Sequence, residues 1–173
     1  RDKVFYQEYI CHWSERTRKF LSDELPRYKD RMVFTGATGF DRYRIYKFMD
    51  RESFFRKYGL KNYKRVIGYA GWAFGKLFNE EMRREIRYLH KDNPDRLNWM
   101  EEQMHLVSGI LEKLVDNNPD TLFILKRHPS EIHPHLIKED RNEMAALRDR
   151  PNVIYIVNEE NIHDLINISD LWL

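Results

Sequence analysis

Two features of the sequence predict an α/β fold with parallel sheets flanked by helices. Short apolar runs rich in branched and aromatic residues alternate with helical stretches along the whole chain. One of those runs, Leu122, Phe123, Ile124 and Leu125, is continuously apolar, which suits a strand covered on both faces. Such strands sit in parallel sheets joined by right-handed crossovers.

The elements follow in order. Residues 3 to 6 read as a short strand and residues 8 to 25 as a helix, with Ile10, Trp13, Thr17, Phe20 and Leu21 near one face and Pro26 limiting it. Residues 31 to 36 read as a second strand, followed by a turn through Gly36 and Gly39. A helix over residues 51 to 58 ends at Gly59 as a C-cap. Residues 65 to 70 open a second unit as a strand, and GlyTrpAlaPheGly at 71 to 75 is a glycine-bounded loop. Residues 79 to 90 suit a charged helix. Met100, Met104, Val107, Leu111 and Leu114 then form the core-facing stripe of the next helix, ended by AsnAsnPro. A strand at 121 to 125, a helix at 142 to 148, a strand at 153 to 157, a helix at 162 to 168 and a strand beginning at Leu171 complete the pattern.

With 173 residues, 42% hydrophobic and 14% aromatic, the chain can bury a core as one domain or two small ones. Arg1 stands first and SDLWL last, so the chain reads as an internal piece of a longer protein. No apolar run approaches the roughly 18 residues of a membrane-spanning helix, and no signal pattern is visible. The single cysteine, Cys11, excludes an intrachain disulfide and points to a reducing compartment, the cytoplasm by default. The net charge of +2 is unevenly spread: residues 1 to 65 hold 17 Lys and Arg against 9 Asp and Glu. That basic first third is either a solvated surface or a face for an anionic membrane, a nucleic acid or a phosphorylated substrate. Nucleic acid is set aside, because no RNA-binding or helix-turn-helix signature accompanies the cations and aromatics at residues 42 to 47.

Two stretches carry candidate chemistry. Lys126, Arg127 and His128 fall where the apolar strand leaves its sheet, and in open α/β folds ligands bind beyond the carboxyl ends of the strands. Arg127 and His128 can donate to phosphate oxygens, while Pro129 begins a turn whose Ser130 and Glu131 can cap or contact a ligand; the plain alternative is a basic surface turn. Gly71, Trp72 and Gly75 belong to the second stretch, a loop that can bring backbone amides to an anion or turn tightly around buried aromatics. It is one residue shorter than the phosphate-cradling GxxxxGK[ST] pattern and has Leu77 in place of the hydroxyl, so that assignment is rejected. No metal site is expected, since His133 and His135 are split by a proline and no second ligand cluster occurs. His12, His90, His105 and His163 are isolated, and no Ser, His and Asp arrangement emerges from spacing.

The succession of motifs resembles bacterial surface-carbohydrate and capsule biosynthesis proteins of the GT-B glycosyltransferase type. More distantly it resembles CDP-glycerol glycerophosphotransferases and UDP-N-acetylglucosamine 2-epimerases. ValPheThrGlyAlaThrGlyPheAspArgTyr is similar to the TGNPRFD segment of that family through Thr35, Gly36, Phe40 and Asp41, although Ala37, Thr38 and Gly39 replace Asn-Pro-Arg. IleLeuLysArgHisProSerGlu is similar to its HisPro strand end, and residues 152 to 171 to the segment preceding a serine- and glycine-rich loop that this chain lacks.

The resemblance implies that residues 1 to 64 are the end of a first Rossmann-like domain with the interdomain connection. Residues 65 to 173 would be an incomplete nucleotide-binding domain. It implies a transferase that moves a glycosyl or glycerophosphoryl group from a nucleotide-activated donor to a glycan or lipid-linked acceptor. No cofactor is needed, and the basic N-terminal part would touch the inner face of the membrane. His128 would stabilise the leaving-group phosphate; Arg127, Glu131, Gly71, Trp72 and Gly75 would border the donor, and the backbone of Val157 and Asn158 would meet the nucleobase. Two alternatives stay open. One is a nucleotide-sugar 2-epimerase, disfavoured because the loop after Val66 lacks that family's His-Arg pair; the other is a non-catalytic binding module of GT-B shape.

Overall fold

The computed structural model describes residues 6–61, 63–132 and 141–173. The chain forms two compact units, Arg1–Lys47 and Phe48–Leu173.

The first unit is a small parallel β-α-β arrangement. Strands β1 (Ile10–His12) and β2 (Met32–Phe34) pair with Ile10 opposite Met32, and helix α1 (Glu15–Glu24) connects them. The sequence pattern predicts a strand at 3 to 6 and a helix from residue 8. Residues 3 to 5 lie outside the described residues, and the strand that forms is β1. Ser14 is the reason: its backbone is extended and its hydroxyl accepts the Thr17 N–H at 3.1 Å, so the helix starts there. Ile10 and Trp13 therefore precede the helix. A second correction concerns residues 37 to 41, read as a turn. Gly36, at φ 73°, makes the left-handed bend, and α2 (Thr38–Ile45) begins two residues later.

The second unit contains α3 (Arg51–Lys57), β3 (Arg65–Ala70), α4 (Glu80–Leu89), α5 (Arg96–Asn117), β4 (Thr121–Lys126), β5 (Val153–Ile156), α6 (Ile162–Ile168) and β6 (Leu171–Trp172). Its sheet has the order β5-β4-β3-β6 with every described pairing parallel. The chain steps outward from β3 to β4 to β5 and then returns past β3 to β6. At constant crossover hand, that reversal puts the last connecting helix on the opposite face. The core agrees. Leu122 and Ile124 pack with Val66, Ile156, Phe54 and Phe55 of α3, and Leu165 and Ile168 of α6. Phe123 and Leu125 pack on the other face with Tyr69, Val153, and Leu111 and Val115 of α5. All six residues of β4 are buried, as a strand covered on both faces requires.

Local chemistry sets the ends. Asp50 caps α3 by accepting the Ser53 N–H at 2.7 Å, and Gly59, at φ 60°, follows its end. Asn79 caps α4 through the Met82 N–H. The helix expected at 142 to 148 is instead a 3-10 turn at Ala145–Leu147. Its neighbours explain this: Asn142 bonds Tyr155 and the Met144 N–H, while Glu143 and Met144 are buried, so the segment is pinned before a full helical turn develops.

Asn152 ties the lower edge of the sheet together. Its buried amide nitrogen lies 3.1 Å from the carbonyls of Val115 and Asn118 and 3.3 Å from that of Thr121. Asn152→Ala leaves these carbonyls short of a donor and is expected to cost about 1–3 kcal/mol. Urea denaturation measures this, and an unchanged midpoint would show that water replaces the amide.

Candidate functional site

The carboxyl edge of the second unit's sheet is built up by a difference in length. Helix α5 has 22 residues and spans about 33 Å, whereas β4 has six and spans about 20 Å. The C-terminal end of α5 leads directly into β4, so its N-terminal turns overhang the carboxyl edge. Leu97 and Met104 of that overhang pack with Phe74 and Leu77, which follow β3, and with Ile86 of α4. The result is a rim above the strand ends.

Two buried carboxylates fasten the glycine-bounded loop under this rim. Glu131 and Glu143 are each 1% exposed. Glu131 Oε1 accepts the Gly75 N–H at 2.5 Å, and its Oε2 receives Arg127 Nε at 3.3 Å and Asn142 Nδ2 at 3.4 Å. Burial pushes the Glu131 carboxyl above its ordinary range and Glu143 adds to the push, while the Gly75 N–H and Arg127 oppose it. Glu143 Oε1 accepts the Trp72 N–H and the Tyr69 hydroxyl, both at 3.0 Å. Burial, with Glu143 beside it, drives the Tyr69 hydroxyl well above a phenol's usual range. A Cβ on Gly75 would stand 2.8 Å from Glu131 Oε1 and 3.0 Å from the Arg141 carbonyl. One on Gly71 would stand 2.9 Å from Met144 Cε. These glycines permit close packing on the acids; the left-handed backbone of the loop is taken by Ala73, at φ 63°.

His128 leaves β4 and caps the 3-10 turn at Pro129–Glu131. Its Nδ1 accepts the Ser130 N–H at 3.1 Å and lies 2.6 Å from Ser130 Oγ. Nδ1 is thus an acceptor, and the ring's N–H is on Nε2. Burial lowers the imidazole's proton affinity and the charge of Lys76 lowers it further, against a smaller opposing effect of Glu143. The ring is a neutral donor at neutral pH. Arg127, expected to face donor phosphates, is 5% exposed and sits against Glu131.

At the end of β5, the N–H groups of Val157 and Asn158 both donate to Glu159 Oε2, at 2.8 and 2.9 Å. Burial is the largest single influence on the Glu159 carboxyl and would raise it, but its own N–H, those of Val157 and Asn158 and nearby Lys126 together hold it below its usual range. Lys126 is buried, places Nζ 3.3 Å from the Val157 carbonyl, and has its ammonium form disfavoured by burial. The two amides expected to meet a base are therefore occupied by a carboxylate of the same loop.

A cavity of about 250 Å³ opens beside Trp72, lined by Tyr69, Trp72, Phe74, Trp99, Gln103 and Val107. Trp72 is 69% exposed and Trp99 43%. The lining carries no charged side chain. Its volume falls below the roughly 300–1,000 Å³ of pockets for drug-sized ligands, so it suits one ring.

The structure thus brings Gly71, Trp72, Gly75, Arg127, His128 and Glu131 into one neighbourhood, together with Lys76, Glu143, Trp99 and Gln103, which the sequence reading did not single out. Lys76 carries a signal, directly following the glycine loop. Glu143 has none, because nothing in a run of charged residues marks the one that will be buried. His133 and His135 lie outside the described residues. Among the described residues no three His, Cys, Asp or Glu side chains come together as a metal site, and no helix is long and apolar enough to cross a membrane.

No family model, no curated protein and no solved structure matches this chain.

Two outcomes are expected. The folded-state pKa of His128 lies below 6.5, so between these values the unfolded chain binds a proton that the native protein does not. Its contribution to stability is full above pH 6.5 and is lost as pH falls through that window. The stability difference between the wild type and His128→Gln should shrink on going from pH 7.5 to 5, and nitrogen NMR should report the Nε2–H tautomer; an Nδ1–H ring would contradict the geometry. Gly75→Ala should destabilise by about 1–3 kcal/mol through overpacking on Glu131. Thermal denaturation tests this, and no shift would mean that the loop can move away.

Proposed function

We propose that the second unit binds a nucleotide-activated donor and that the protein transfers the donor's glycosyl or glycerophosphoryl group to an acceptor hydroxyl. The observation that carries this reading is the place of the glycine loop. It leaves β3, beside which the strand order reverses, and in doubly wound sheets that reversal opens the crevice where nucleotides bind. The aromatic cavity beside Trp72 of that loop has room for one ring, and Lys76, which follows the loop, is close enough for its charge to act on His128.

In the proposed reaction the acceptor oxygen forms a bond to the transferred carbon or phosphorus, and the bond to the nucleotide's phosphate oxygen breaks. The electron pair leaves with that oxygen. The Nε2–H of His128 would donate to it, and the nearby Lys76 ammonium would offset its charge. Stabilisation by a neutral imidazole works through a directed hydrogen bond rather than a full positive charge. The acceptor's proton passes to a base outside the residues assigned here.

The motif resemblance extends the proposal to GT-B-type surface polysaccharide biosynthesis in the cytoplasm, with a glycan or lipid-linked acceptor and contact of the basic N-terminal part with the membrane's inner face. A second reading, a non-catalytic binding module, is favoured by one observation: Arg127, Glu131 and the amides of Val157 and Asn158 are engaged with one another or with Glu159.

Calorimetric titration with CDP, UDP, CMP and UMP tests the proposal. One nucleotide is expected to bind at micromolar affinity, weakened about tenfold, or about 1.4 kcal/mol, by His128→Ala. Absence of binding, or binding indifferent to the substitution, would refute it. Binding without nucleotide release when acceptor glycans are supplied would favour the module.

A further inference from the structure

A second cavity, about 240 Å³, lies where the end of α4 meets the start of α5, lined by Arg87, His90, Lys91, Asn93 and Arg96 over an apolar floor that includes Leu97. No acidic side chain lines it. Arg87 bonds Glu80 at 3.2 Å on α4, whereas among the described residues neither Lys91 nor Arg96 has a carboxylate within ion-pair distance. The Arg96 guanidinium carbon lies over the Trp99 ring, 4.3 Å from its centroid, and its Nε is buried with no hydrogen-bond acceptor. Its contact with Trp99 fixes the guanidinium in a cavity where, among the described residues, neither Lys91 nor Arg96 meets a carboxylate, which leaves those cations for an anion from outside the protein.

We infer that this cavity is an oxyanion site for a compact phosphate-class ligand, either a free phosphate or pyrophosphate or the phosphoryl end of a larger molecule. Its geometry supports that class. A planar guanidinium matches two phosphate oxygens, Lys91 adds a point charge, and the His90 ring and Asn93 amide are available as further hydrogen-bonding groups. The volume admits one or two phosphoryl groups. The site lies at the overhanging end of α5, and the Trp99 ring that Arg96 covers is part of the lining of the aromatic cavity. It does not depend on the proposed transfer reaction.

The test is titration of the whole chain with inorganic pyrophosphate at constant ionic strength, followed by amide NMR and calorimetry, with chloride as the control anion. Saturable one-to-one binding is expected, with shifts centred on residues 87 to 97 and affinity reduced at least about fivefold in both Lys91→Gln and Arg96→Gln. Lys91 is exposed, so that variant keeps the test meaningful if Arg96→Gln disturbs the Trp99 contact. Shifts that do not saturate, that chloride reproduces, or that persist in Lys91→Gln would overturn the inference. Parallel titrations with UDP and a simple phosphomonoester identify the source of the phosphoryl group. Nucleotide binding sensitive to His128→Ala but not to Lys91→Gln, with no pyrophosphate binding, would overturn this site and leave the donor proposal standing. Pyrophosphate binding lost in Lys91→Gln, with no nucleotide bound, would do the reverse.

Discussion

Six consecutive buried residues in β4 constrain the second unit more than any other feature. A strand with apolar side chains on both faces needs a cover on each, and β3 and β5 must flank it to satisfy its backbone. Helices α3 and α6 supply one cover and α5 the other. Because β4 is central and short, the helix leading into it overshoots the carboxyl edge. The rim that carries the candidate site thus follows from packing a 22-residue helix beside a six-residue strand.

The same constraint accounts for the burial of charge at that edge. Lys126 and Arg127 follow the apolar run without a break, so they leave the sheet while still under its cover. Burying a cation alone is costly, and partners at the edge answer it: Glu131 for Arg127, and the Val157 carbonyl for Lys126. Glu131 also receives the Gly75 N–H, and Glu143 takes the Trp72 N–H and the Tyr69 hydroxyl. The loop after β3 is therefore positioned by carboxylates that arrive from the segment after β4. Arg127 serves that arrangement, while His128, one residue further and oriented by Ser130, keeps Nε2–H as a donor.

Much of this architecture was legible in the sequence. The apolar run of β4, the stripe of α5 and the charged helix α4 follow from composition and periodicity, which are local properties. The misreadings are also local. Ser14 as a cap moved the first helix, and residues 38 to 45 carry weak helical signals that a turn containing two glycines obscured. The stretch 142 to 148 has helix-forming composition, yet its side chains are engaged elsewhere. The cluster at the strand end was recognisable from its position, but the division of roles within it was not. Arg127 and His128 are neighbours of similar chemistry, and only their partners separate a packing cation from an accessible imidazole.

By itself the sequence determined the fold class, the covered strand and the placing of a polar cluster at its carboxyl end, because patterning and turn chemistry act over a few residues. Tertiary structure alone decided which charges are buried, which amides are free and where cavities open. Glu131 and Gly75 are 56 positions apart and Glu143 and Trp72 are 71 apart. Whether such groups meet depends on the order in which strands assemble, and the energy of their meeting depends on the water they lose, neither of which is written in any short stretch of the chain.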